Sequence, residues 1–176
     1  GLIPENELSK TAGVDLHKKT GGPIVDEQMK TNVPGIFACG NVLHVHDLVD
    51  FVTEESQNAG NGAVRYLRDE VEEDKLCETA YIETLPLEGI SYIMPQIIHM
   101  GQTTSKLVKL LFRVKQQYKN VKLIIKYGDT VLKVIKKDHL APAEMESVLL
   151  VLHSNDTGSA TEKMSPNTLS IEVMSQ

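Results

Sequence analysis

The residues best suited to chemistry are Thr31-Asn32-Val33-Pro34-Gly35-Ile36-Phe37-Ala38-Cys39-Gly40-Asn41. A short apolar run between turn signals, Ile36 to Cys39, reads as a fully buried strand. Its terminal Gly40 lets a ligand approach the backbone, and Asn41 can hydrogen-bond a hydroxyl. A helix beginning a few residues later would offer free N–H groups to electron-rich atoms. Together these describe the edge of a ligand site. His44 and His46 flank Val45 just beyond it, and with an ordinary pKa of about 6.5 either could take up a proton near neutrality. The plainer reading is that they cap or face solvent, as loop histidines commonly do. A metal held by the two is disfavoured because no third ligand is placed nearby. Cys39 and Cys77 form no metal or redox spacing, and Glu144 is a lone carboxylate in a surface turn, Pro142 to Met145.

These residues need elements to position them. Gly1 to Thr31 is rich in turn-formers (Pro4, Gly13, Gly21, Gly22, Pro23) and reads as connections with a short hairpin. After the apolar run, Asp47 is the expected N-cap of a helix, with Asp50 and Glu54 in its early turns where negative charge suits the positive end of the dipole. Its apolar face follows Leu48, Phe51, Val52, Ala59, Ala63 and Leu67, and Asp69 to Lys75 forms a charged, solvated end. Gly60 and Gly62 weaken a helix by roughly 1 kcal/mol each relative to alanine, so they imply close packing against another backbone.

Beyond Cys77 the period shortens. Tyr92–Met94, Gln96–Ile98, Leu107–Val114, Val121–Tyr127, Thr130–Ile135, Ser147–Leu152 and Leu169–Val173 are short runs of aliphatic and β-branched residues. Gly128-Asp129 separates two alternating runs as a two-residue type II′ hairpin turn. Strands this close, without intervening helices, predict a small antiparallel β-sandwich-like domain, with Ser154 to Pro166 as a flexible loop. The fold class is α+β.

Charge is distributed unevenly within a net −6. Asp47 to Glu88 carries 12 acidic and 3 basic residues, and Lys106 to Lys137 carries 10 basic residues opposed only by Asp129. On alternating strands such lysines form a solvated face, and no stacking motif accompanies them, so nucleic acid is not an expected partner. The absence of a long apolar run or a signal pattern argues against a membrane and for a cytoplasmic location.

The 31–41 stretch resembles the second FAD motif of the pyridine nucleotide-disulfide oxidoreductase superfamily, T-x-x-P-G-[IV]-[FY]-A-x-G-D. Gly1 to Leu8 is similar to the segment by which that family's NAD-binding domain returns to its FAD domain. Gly22 to Asp26 resembles the short strand before the motif. Gly40 to Asp50 looks like a thioredoxin-reductase-like branch with an added C-terminal β domain. The resemblance covers about residues 1 to 68 and implies FAD as cofactor, with Gly40, Asn41, His46, Asp47, Leu48 and Val49 lying along it. In the family Asp usually stands where this chain has Asn41, so the negative charge is lost while a hydrogen bond can survive.

There is no G-x-G-x-x-G after a strand and no C-x-x-C. The expectation is therefore a fragment: residues 1–76 as the C-terminal part of an FAD domain and 77–176 as an accessory β domain. The parent would pass electrons between NAD(P)H and FAD, binding NAD(P) through residues outside this chain. The isolated fragment would be inactive. Its partners would be the missing N-terminal part of the parent and a second copy in a homodimer. The alternative is a non-enzymatic β-sandwich interaction or dimerisation module.

Overall fold

The structure, a computed structural model, describes residues 3–68, 81–100, 103–153 and 167–175. The chain forms two compact units. The first comprises Gly1–Thr79 with Pro95–Ile97, and the second Ala80–Met94 with Ile98–Gln176. The expected boundary after residue 76, the charged helix end at 69–75 and the loop at 154–166 lie outside the described residues.

The first unit is built from turns and one long helix. A five-residue helix α1 (Glu7–Thr11) leads into a turn closed by the Leu16–Pro23 bridge. Asp26 then organises the next turn: its Oδ1 accepts the amide hydrogens of Gln28 at 2.8 Å and Lys30 at 2.9 Å. The run Ile36 to Cys39 differs from the expected buried strand. It makes one bridge, Phe37 to Lys30, supported by Ala38 N–H donating to Met29 O, and only Ala38 of the run is buried. A fully buried strand needs partners on both sides, and the bridge to Lys30 supplies one. A single 3₁₀ turn, Gly40–Val42, follows, and then α2 (Val49–Leu67).

Helix α2 starts one residue later than the sequence suggests. Leu48, in extended conformation, occupies the N-cap position without a side-chain cap, so Asp47 is not the cap. Its buried residues are Glu55, Ala59 and Gly62, while Leu48 and Leu67 at the ends of the expected apolar stripe are exposed. The two glycines part company. A Cβ on Gly62 would lie 2.5 Å from Gln28 O, whereas Gly60 has nothing within 4 Å. Close backbone packing explains only Gly62.

The second unit is a two-sheet sandwich. Its strands are β1 (Tyr81–Pro86), β2 (Ile90–Met94), β3 (Ile97–His99), β4 (Ser105–Val114), β5 (Tyr118–Tyr127), β6 (Thr130–Leu140), β7 (Glu146–His153) and β8 (Thr168–Ser175). One sheet runs β3-β1-β8-β5-β6 and the other β2-β4-β7. The α+β class holds, with one amendment: β1 and β8 pair in parallel, so the larger sheet is mixed. Alternation supplies the core. Val108, Leu110 and Phe112 of β4 and Val148, Leu150 and Leu152 of β7 pack with Val121, Leu123 and Ile125 of β5 and Leu169, Ile171 and Val173 of β8. The β5–β6 hairpin turns through Gly128-Asp129 with Tyr127 opposite Thr130, and Gly128 has φ +53° as the first position of a II′ turn requires.

Among the lysines of β6, Lys133 and Lys136 are exposed and Lys137 is partly buried. Lys133 and Lys137 stand opposite buried Ile125 and Val121. Lys137 Nζ meets Glu146 Oε2 at 2.6 Å, and Lys133 Nζ donates to Leu149 O at 3.1 Å. Charges on an edge strand obstruct further strand addition.

Candidate functional site

Residues 40–48 are held from three directions, and each hold follows from a particular side chain or its absence. From one side, Asn6, itself buried, donates from Nδ2 to Val42 O at 2.7 Å and to Gly21 O at 3.1 Å. From below, Gly22 lies against the turn so closely that a Cβ would sit 1.8 Å from Leu43 O. Leu43 is completely buried. From the helix, Glu55 reaches back to accept the Gly40 amide hydrogen at 2.8 Å. Gly40 has φ +69°, a conformation glycine adopts without penalty, and a Cβ there would meet Val52 Cγ1 at 3.3 Å.

Glu55 also gathers both histidines. His44 Nε2 lies 2.7 Å from Oε1, and His46 Nε2 lies 2.9 Å from Oε2. All three side chains are at most 4% exposed, and the imidazole centroids are 4.3 Å apart. Burial alone would push the Glu55 carboxyl pKa upward. Hydrogen bonds from His44 and His46, together with the electrostatic attraction of the two rings, outweigh burial and hold it down at about 2. The carboxylate is therefore ionised at neutral pH, with imidazole N–H groups donating to it. His46 Nδ1 is buried and has no hydrogen-bond partner. The sequence-based expectation that no third ligand lies near the two histidines does not hold: α2 delivers Glu55 to both.

The remaining expected cofactor-side residues divide by orientation. Asn41, Asp47, Leu48 and Val49 are exposed, with Leu48 at 56% and Val49 at 78%. Asn41 Oδ1 accepts the His46 amide hydrogen at 3.1 Å, which orients the carboxamide and leaves its nitrogen as a donor group. Gly40 is buried, and the His46 ring points inward to Glu55 rather than outward with Asn41. Cys39 is a free, half-buried thiol whose Sγ is 3.7 Å from Ser56 Oγ.

Three contributors escaped the sequence reading: Glu55, Asn6 and Gly22. For Glu55 a signal existed. It falls on the apolar stripe of α2, three residues after Val52 and four before Ala59, where a carboxylate must find partners or destabilise the fold.

Residues 1–63 match the family model described as pyridine nucleotide-disulphide oxidoreductase. No curated protein and no solved structure matches the chain. The match ends inside α2 and takes in the whole of the Gly40 turn, both histidines and Glu55. Among the described residues no helix is long and apolar enough to cross a membrane.

Proposed function

We propose that this chain is part of a flavin-dependent oxidoreductase that passes electrons between NAD(P)H and FAD, and that residues 40–49 line one wall of the FAD site. The observation that carries the reading is the family match over residues 1–63, which spans the bare-backbone turn at Gly40. The local residues fit the edge of a flavin. Asn41 stands exposed beside a glycine of positive φ, and Leu48 and Val49 present apolar surface at the start of a helix that has no side-chain cap.

FAD, when bound, would supply the hydride and electron chemistry. The chain's own part is binding and orientation. The Asn41 carboxamide nitrogen would donate to a ribityl hydroxyl, in place of the acceptor bond that an Asp makes. Leu48 and Val49 would exclude water from one side, and the first-turn amides of α2 would favour an electron-rich atom near them. His46 supports this wall from behind by holding its ring on Glu55. A glycine-rich phosphate loop, which these 176 residues lack, would come from a further segment of the parent protein, and NAD(P) would bind there too. The β-sandwich is then an accessory module for dimerisation or partner docking, and the parent is a cytoplasmic protein.

The test is the visible absorbance of the purified full-length parent. A yellow protein bleached by NAD(P)H is the expected result. A colourless protein that gains no FAD on reconstitution overturns the reading and leaves the sandwich as a binding module. The 176-residue chain alone should retain FAD weakly or not at all, because it carries only part of the binding surface.

A further inference from the structure

We infer that His44, His46 and Glu55 form a binding site for a divalent transition-metal ion of the zinc class. The inference does not rest on the flavin reading. The metal-binding atoms of the three side chains lie within 4.8 Å of one another, and all three are withdrawn from solvent. Two imidazoles and one carboxylate are a donor set used by zinc, with a fourth position left to water. Imidazole nitrogen selects zinc, cobalt, nickel and copper over magnesium and calcium, which prefer oxygen.

The site is closed in the metal-free chain. The Nε2 to carboxylate separations of 2.7 and 2.9 Å are hydrogen-bond distances. Donors bound to a tetrahedral ion at about 2.0–2.1 Å stand about 3.3 Å apart. Loading therefore requires each imidazole nitrogen to draw back from the carboxylate by about half an ångström and exchanges the two shared Nε2 protons for one ion. Each proton either moves to the other ring nitrogen or leaves to solvent, and nothing is oxidised or reduced. His46 is prepared for this exchange. Its Nδ1 has no hydrogen-bond partner, so the tautomer that turns a lone pair at Nε2 toward the ion breaks no bond at Nδ1. Glu55 keeps the Gly40 amide hydrogen bond through Oε2, leaving Oε1 as the ligand atom.

The test is a titration of the full 176-residue chain, stripped with a chelator, with Co²⁺ and then Zn²⁺. One equivalent of Co²⁺ should give the visible d–d absorption of a four-coordinate ion, and Zn²⁺ should abolish it. His46→Gln and Glu55→Gln should each weaken Zn²⁺ binding beyond the roughly 10- to 100-fold typical of outer-shell changes, and His17→Gln should leave it unchanged. A wild-type measurement covers the case in which the variants do not fold. In nitrogen-15 imidazole spectra, Zn²⁺ should move the Nε2 resonances of His44 and His46 and not those of His17, His99, His139 or His153. No saturable binding, or shifts confined to those other histidines, overturns the inference.

Discussion

Glu55 and Gly40, fifteen residues apart, are joined by a 2.8 Å hydrogen bond in which the buried carboxylate accepts the backbone amide hydrogen of the glycine that ends the apolar run. One side chain of α2 thus fixes the turn that the family match covers and anchors two histidines. Removing it should be felt well beyond a single bond. Glu55→Ala leaves two buried imidazoles and the Gly40 amide without an acceptor, and should lower unfolding free energy by about 3–5 kcal/mol, as loss of one partner from a buried charged pair does. Glu55→Gln keeps an acceptor and should be milder, about 1–3 kcal/mol. Urea denaturation of the metal-free chain ranks them; equal losses would mean that the carboxylate is not the organising group.

The glycines of the first unit should respond in opposite directions to alanine. Gly22→Ala drives a methyl to within 1.8 Å of Leu43 O and should destabilise by about 3 kcal/mol, at the top of the overpacking range. Gly60→Ala, on an open helix surface, should stabilise by about 0.5–1 kcal/mol through helix propensity. Thermal melts of the two variants beside wild type check both signs.

Acid should weaken the chain partly through His17. Burial lowers its pKa below the usual 6.5, and its Nδ1 accepts the Thr20 amide hydrogen at 3.3 Å, so the folded state prefers the neutral ring. The contribution is fully present above the unfolded value and is lost as pH falls through the depressed folded value. The urea midpoint of wild type should therefore fall more than that of His17→Gln between about pH 7.5 and about pH 5. Parallel pH profiles for the two proteins would exclude His17 as the titrating group.

Lys133 should matter for solubility more than for stability. Exposed on edge strand β6, it donates to the backbone oxygen of Leu149 on β7, whose side chain is itself exposed. Lys133→Val removes a charge that obstructs strand addition and should increase self-association in light scattering, with an unfolding midpoint close to wild type.

What the sequence made readable was local. The Gly128-Asp129 turn and its two alternating strands are encoded within about twenty residues, and seven of the eight strands were marked by their own apolar runs. Strand β1 escaped because Tyr81 to Pro86 carries Glu83 and ends in Pro86, and because its pairing with β8 joins residues more than eighty apart. Sheet membership escaped for the same reason: nothing in β8 itself says that it inserts between β1 and β5. At the site, Gly40 and Asn41 were readable from the spacing of the motif. Glu55 was passed over because it was counted with its acidic neighbours rather than with the apolar stripe in which it lies, and Asn6 because its partners are fifteen and thirty-six residues away.

The central place of β8 also sets an order of events for a chain emerging from the ribosome. The β5–β6 hairpin can close once Leu140 has cleared the ribosome, but the gap between β5 and β1 stays open until Thr168–Ser175 arrives. Two strand edges lined with Leu123, Ile125 and Ile82 therefore wait unpaired through the synthesis of the intervening residues. Closing the gap is a long-range step, and such steps are slow relative to hairpin closure. A released chain cut short before residue 168 would hold an open, adhesive half-sheet, a client for a chaperone.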